Sequence, residues 1–288
     1  MISRHNKIIH GMWFGKTLSR LELLTIRSFV RLGHDFHLWA YDDLSAFEFP
    51  RGVVVRDAEE IIGRNKVFAK SDIDAETGVG RNSIGAPFSD LFRYKLLSEH
   101  GGIWVDMDVT CLRPFDFTDE YVFRPHRIGV VGSILKCPKG SRLMRDVYDE
   151  TLSTVDAQSD YLAPNRILTK HVEQAGLTAS IVENISNPDH WMEYIRPLIE
   201  GRGAISDEWY AIHWINEMWR TLDVDGGRYR GRDLLGYVPD KDAPQPGSTL
   251  WELYRKHGLI DPDEVFPPGL KGKCWNSGWI GYFRYSHK

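Results

Sequence analysis

Residues 88–108 constrain this chain more than any other stretch, because they run from a helix through a glycine pair into a short apolar segment that ends on two carboxylates. Phe88, Leu91, Phe92, Leu96 and Leu97 recur at helical spacing, and Gly101-Gly102 stops the helix and launches Ile103-Trp104-Val105. A helix that feeds at once into a buried strand is the second half of a parallel β-α-β unit, and sheets built from such units carry helices on both faces. The N-terminal part shows the same alternation. Residues 7–13 read as a strand closed by Gly15, and Ser19 is placed to N-cap a helix with apolar positions Leu21, Leu24, Ile26, Phe29, Val30 and Leu32. Gly33 ends that helix, residues 36–41 alternate as a strand, and residues 52–55 form a third. The expected fold is α/β, with a mostly parallel sheet flanked by helices.

Further on, strands are expected near 121–123, 130–135 and 209–213, with helices over 141–152 and after Asn165. Residues 63–86 are polar and glycine-bearing and read mainly as a long surface loop, a length that inside compact domains often marks a lid or binding loop. Beyond residue 220 the chain is rich in Gly, Pro and Trp, and its periodicity assigns no element there. Composition narrows the function. At 42% hydrophobic and 26% charged, the 288 residues have ordinary globular usage, which excludes a disordered or collagen-like chain. A formal net charge of −4 argues against a protein that coats nucleic acid by bulk charge. The three cysteines, Cys111, Cys137 and Cys274, form no C-x-x-C pair and read as those of a reducing compartment. No run of about 18 apolar residues suggests a membrane helix, and the N-terminus reads as a first strand, not a leader. The expected location is the cytoplasm, either free or peripheral at the inner membrane.

The chemistry concentrates in the same 88–108 stretch. Asp90 and Arg93 stand i, i+3 on the helix and share a face. Asp106 and Asp108 stand i, i+2 at the strand's end, so their carboxylates are expected on one side with Met107 turned away. Such a pair can hold Mg²⁺ or Mn²⁺, and ligands of open α/β sheets bind beyond the carboxyl ends of the strands. A bare D-x-D means little, since the chain also has Asp72/Asp74, Asp223/Asp225, Asp240/Asp242 and Asp261/Asp263 in polar or Pro/Gly-rich surroundings. Residues 72–83 fail as a calcium loop, with the glycine one place late and Ser83 where the bidentate Glu belongs. Only Asp106/Asp108 follows an apolar strand, a glycine pair and a helix bearing D-x-x-R.

These residues resemble a known family. Asp90-Leu91-Phe92-Arg93-Tyr94 and Gly101-Gly102-Ile103-Trp104-Val105-Asp106-Met107-Asp108 are similar to the signature of the sugar-binding-region glycosyltransferases containing a DXD motif, family 32. Capsular polysaccharide transferases and initiating mannosyltransferases belong to it, and the large clostridial glucosylating toxins share the signature more distantly. Ile8-Ile9-His10-Gly11-Met12-Trp13-Phe14-Gly15 is similar to the family's opening segment. The resemblance implies a GT-A fold, a Rossmann-like domain that binds a nucleotide-sugar with a divalent cation, Mn²⁺ or Mg²⁺. It implies that Trp13 stacks on the nucleobase and that Asp90 and Arg93 hold the donor sugar's hydroxyls. Asp106 would reach the ribose and the metal, and Asp108 would ligate the metal directly. Residues 210–219 are similar to a later family segment, which makes His213 the third metal ligand, although Met218 stands where many members carry Ser.

Other residues keep plainer readings. His10 reads as a satisfied structural histidine on an apolar strand, and Trp104 as core. Asn165 is either a helix cap or part of the donor or acceptor site. Residues 274–279 are either a lid or a packed tail. Residues 1–220 are expected to form the catalytic domain, and 221–288 an extension packed on it that serves as a lid or acceptor region. The function implied is metal-dependent transfer of a hexose, from UDP-hexose ahead of GDP-mannose, to an acceptor hydroxyl with retention, in bacterial surface glycan synthesis. Two alternatives stand beside it: the same core acting on a protein or modified DNA, and a non-enzymatic carbohydrate- or nucleotide-sugar-binding module.

Overall fold

The computed structural model describes residues 2–67, 70–73, 80–83, 86–156, 159–160, 162–216, 218–219, 228–229, 232–233, 240–261 and 264. A six-stranded sheet runs in the order β3 (Val53–Asp57), β2 (Asp35–Ala40), β1 (Ile8–Trp13), β6 (Gly102–Val105), β9 (Gly129–Cys137) and β8 (Val122–His126). The β3-β2-β1-β6 half is parallel throughout, while β9 runs antiparallel to both β6 and β8. Alternation along the central strands sends neighbouring residues to opposite faces. Trp104 joins Met12, Trp39 and Leu135 under helix α2 (Ala86–His100), α3 (Arg142–Thr154) and α4 (Ala163–Gln174). Ile103 and Val105 join Ile9, Trp13, Phe36 and Leu38 under α1 (Arg20–Arg31). Helices thus cover both faces, as the alternation requires.

Local signals explain where the elements start and stop. Ser19 and Glu22 form a reciprocal capping box at the start of α1, and Ser141 caps α3 through the Met144 amide, 3.2 Å away. Gly101 and Gly102 both have positive φ, 65° and 95°, the conformation that turns α2 directly into β6. A Cβ on Gly101 would lie 2.3 Å from the Lys139 amide nitrogen, so the turn has no room for a side chain.

Three expectations need correction. Within 63–86 the chain forms a 3-10 turn (Arg64–Lys66) and an antiparallel hairpin of β4 (Lys70–Ile73) and β5 (Gly80–Ser83). Backbone pairing makes this hairpin, and its polar sequence has no apolar alternation to announce it. Helix α4 begins at Ala163, so Asn165 lies inside its first turn and is no cap. The C-terminal part contains a helix, α6 (Thr249–Lys256), capped by Ser248. Leu250, Leu253 and Tyr254 of α6 pack with Leu21 and Leu24 of α1. Lys241 reinforces this contact with a 2.7 Å ion pair to buried Glu22. The described residues also include short helix α5 (Arg196–Glu200), a hairpin of β11 (Arg228–Tyr229) with β12 (Arg232–Asp233), and one small sheet. Residues 274–279 lie outside the described residues. Among the described residues no helix is long and apolar enough to cross a membrane.

The small sheet positions the site. Strand β7 (Val109–Cys111) follows β6 after a turn and pairs antiparallel with β10 (Ala211–His213), with Val109 opposite His213. A residue more than a hundred positions away is thereby fixed beside the end of β6.

Candidate functional site

Asp106 and Asp108 occupy the turn between β6 and β7, where the Val109 amide donates to the Asp106 carbonyl at 3.2 Å. The two carboxylates therefore converge through a turn, and the strand period is not what aligns them. Met107 points the other way, into the core, where a Cβ on Gly11 would come within 2.7 Å of its sulfur. Asp106, Asp108 and His213 each offer a ligand atom, and these atoms all lie within 4.8 Å of one another. They line a cavity of about 300 Å³ together with Asp90, Arg93 and Asn165.

Arg93 organises one wall. Its guanidinium lies 3.2 Å from Asp90 and 3.0 Å from Asp106, so it ties the helix motif to the turn motif. Ser89 accepts from it through its carbonyl at 3.3 Å and its hydroxyl at 3.1 Å. The guanidinium also sits over the Trp104 ring, 5.1 Å from the centroid, and the Trp104 indole N–H donates to Asp106 at 2.8 Å. Trp104 is thus core, as expected, and orients Asp106 as well. Gly132 of β9 fits against this pair: a Cβ there would stand 2.6 Å from Arg93 Nη1 and 3.3 Å from Asp90 Oδ1. The Asn165 amide links the same groups, accepting from the Gly132 N–H at 2.9 Å and reaching Asp90 at 3.4 Å. Asp90 is 2% exposed, and burial pushes its carboxyl up to about 7 against the pull of Arg93.

The opposite wall holds His213. Its Nε2 is 3.6 Å from Asp108 Oδ2, and its Nδ1 is 3.0 Å from Asp189 Oδ1. Burial opposes charge on both members of the Asp108–His213 pair and raises the Asp108 carboxyl, while His213 is raised because Asp108 and Asp189 together outweigh its burial. Asp108 also accepts from the Asn216 amide at 2.6 Å. To reach that position the chain passes through Ile215 at φ 54°, a left-handed conformation that costs a β-branched residue energy and is found mostly at functional sites.

The sequence did not single out Asp189, Arg124, Asn187 or Asn216. Arg124 is buried in strand β8 and grips Asp189 in a bidentate pair at 2.6 and 2.7 Å. Burial alone would raise the Asp189 carboxyl, but Arg124 and His213 outweigh it and hold it below the usual range. An arginine inside an apolar strand was the available signal, since a buried charge needs a partner.

The donor set suits a hard to borderline divalent cation: two carboxylates and an imidazole, with the buried Oδ1 of Asn216 nearby and without a hydrogen-bond partner. Trp13 stands apart from this group. It is 0% exposed within the core, its indole N–H donates to the Thr17 carbonyl at 2.9 Å, and it does not line the cavity. Neither ring face is open to a base. His10 accepts from the Trp39 indole at 3.1 Å and is buried, in keeping with a structural histidine.

Comparison with known proteins gives the region its kinship. Residues 57–124 match a family model described as a glycosyltransferase sugar-binding region containing a DXD motif. A curated relative, "Subversion of eukaryotic traffic protein A" of Legionella pneumophila, is 22% identical over 262 residues, which are 83% of this chain. The match takes in 38% of that relative's own length. Among solved structures, the PaToxG glycosyltransferase is similar at 15% identity and a TM-score of 0.44, over 59% of this chain and 68% of that one. Apo-form glycosyltransferase GlyE of Streptococcus pneumoniae is similar at 10% identity and a TM-score of 0.49, over 89% of this chain and 61% of that one. The family that the motifs resemble is also the one whose model matches residues 57–124, so that stretch is similar to a glycosyltransferase sugar-binding region containing a DXD motif.

Proposed function

We propose that the chain is a metal-dependent hexosyltransferase that moves a hexose from a nucleotide-sugar, UDP-hexose ahead of GDP-mannose, to an acceptor hydroxyl with retention of configuration. The observation that carries this reading is the meeting of Asp106, Asp108 and His213 at a cavity that Asp90 and Arg93 also line. A pure binder has no need of a cation placed to activate a diphosphate. The imidazole favours Mn²⁺ over Mg²⁺. A divalent cation held by these three side chains would neutralise charge on a departing diphosphate.

The chain's own groups supply the positioning. Arg93 is fixed by Ser89, Asp90, Asp106 and Trp104 before any ligand arrives, so the guanidinium and the Asp90 carboxyl are held in place at the cavity wall in advance. Asn165 braces Asp90 from α4, and the bare Gly132 leaves the room that Arg93 and Asp90 occupy. No separate general base is required, because a leaving phosphate oxygen can take the acceptor's proton.

A bacterial surface glycan is the first acceptor class. A macromolecule is the second, and it is favoured by the relative named for subversion of eukaryotic traffic. Residues 221–288 would then help to read the acceptor. The test is nucleotide release from UDP- and GDP-sugars with Mn²⁺, Mg²⁺ or EDTA, without acceptor. Slow metal-dependent release of one nucleotide supports the reading and names the donor. No release, together with no thermal stabilisation by any nucleotide plus metal, would move the chain to the binding-module class.

A further inference from the structure

His213 is held more elaborately than a core histidine requires. The Asn187 side chain clamps its backbone on both sides, accepting from the His213 N–H at 2.8 Å and donating to the His213 carbonyl at 3.1 Å. The ring is fixed separately, by Asp189 Oδ1 at 3.0 Å from Nδ1. Asp189 in turn has no freedom to rotate, because both of its oxygens are held by the Arg124 guanidinium at 2.6 and 2.7 Å. Arg124 is itself anchored by the Ser186 hydroxyl at 2.6 Å and the Asn187 carbonyl at 2.8 Å. The chain β8–Arg124–Asp189–His213 thus runs from the central sheet to the small sheet and ends with Nε2 facing Asp108.

We infer that Asp189, locked by Arg124, is the positioning residue that sets the ring orientation and tautomer of His213 for cation binding. The inference rests on the reading of Asp106, Asp108 and His213 as a cation site. A carboxylate can only accept, so the proton belongs on Nδ1 and the Nε2 lone pair faces the Asp106–Asp108 pair. Carboxylate–histidine pairs of this kind raise ligand basicity and restrict the ring, and losing the carboxylate costs about 10–100-fold in metal affinity. Asp189 lies 24 positions before His213 and was invisible in the motif, because only the packing of residues 186–189 against β10 brings the two together.

The test is Mn²⁺ titration of the full chain without donor, followed by electron paramagnetic resonance of the free ion, for wild type, Asp189→Ala, His213→Ala and the double variant. Asp189→Ala is expected to weaken Mn²⁺ binding by about 10–100-fold, and to cost nothing further once His213 is alanine. Unchanged affinity in Asp189→Ala, or the same loss with and without His213, would overturn the inference and reduce Asp189 to a structural partner of Arg124. Asp189→Asn leaves Arg124 a polar neighbour and keeps the test decisive if the alanine chain does not fold. It is expected to lose roughly tenfold, again only when His213 is present, and an unchanged affinity there overturns the inference equally. A wild-type chain that does not bind Mn²⁺ removes the cation reading itself, and this positioning role with it.

Discussion

At the scale of single residues, exposure separates the two kinds of role that the motif alone could not. Asp108 is buried against His213 and the Asn216 amide, so Asp108→Asn keeps the shape and a hydrogen-bond acceptor while removing the charge. We expect it to abolish metal-dependent nucleotide release with the far-ultraviolet circular dichroism unchanged, and retained release would remove Asp108 from the cation site. Trp13 goes the other way. With its whole ring in the core, Trp13→Ala should cost about 3–5 kcal/mol of stability, read by denaturant unfolding. A nucleotide affinity that falls while stability holds would restore the stacking role. Gly132→Ala tests the wall beside Arg93. The added methyl would press on Nη1 and Cδ, at 2.6 and 2.9 Å, so donor affinity should fall by an order of magnitude or more, equivalent to about 1.4 kcal/mol per tenfold. Asp90, Arg93, Asp106, Asp108 and His213 were legible because each carried a motif neighbour. Asp189 and Asn216 were not, because their partners are distant in the chain and no local spacing encodes them.

At the scale of elements, legibility followed the strength of local signals. Helix α1 had a capping box and a full apolar stripe, and α2 had five apolar positions before a double glycine, so both could be placed from the sequence. Helix α6 had the same grammar in shorter form: Ser248 as cap, Leu250, Leu253 and Tyr254 on one face, and Gly258 at φ 66° after the end. It was hidden by the Gly- and Pro-rich stretches around it. The β4–β5 hairpin was hidden for a different reason, since its strands carry no apolar face. The capping of α6 can be measured. Ser248 Oγ accepts from the Trp251 amide at 3.2 Å, and Ser248 is buried, so Ser248→Ala leaves that first turn without its side-chain acceptor. The expected loss is about 1 kcal/mol, seen as a shifted urea midpoint. Because α6 packs on α1 and not on the cavity, nucleotide affinity should stay constant, and a change in affinity would show that 240–261 communicates with the donor site.

At the scale of the whole molecule, the topology decides where chemistry can occur. The β3-β2-β1-β6 order places β1 at the centre with neighbours added to either side, and the crevice beyond the carboxyl ends of β1 and β6 is where such sheets bind ligands. The motif order in the sequence already implied this, because the carboxylates follow β6 directly. The same burial that builds the sheet leaves a pH signature. His10, in the centre of the sheet, is lowered from 6.5 to about 3 by burial first and then by His37 and His100. The native chain therefore binds fewer protons than the unfolded chain between those values, so stability present above pH 6.5 is lost as the pH falls. One proton is worth about 1.4 kcal/mol per pH unit. His257, lowered to about 4 by burial and nearby cations, acts in the same direction, as do His34 and His37. Asp90 and Asp108, raised by burial, act in the opposite direction, because the native chain takes up their protons before the unfolded chain does. Urea unfolding of the metal-free chain at intervals from pH 7.5 to 5, carried out in EDTA, should show stability falling on the acid side. His10→Gln keeps an acceptor for the Trp39 indole and removes the titration. Its slope below pH 6.5 should be shallower than wild type by about one proton, or about 1.4 kcal/mol per pH unit, whatever its absolute stability. Parallel slopes would mean that His10 is protonated inside the fold, and the neutral hydrogen bond that joins β1 to β2 through Trp39 would have to be redrawn.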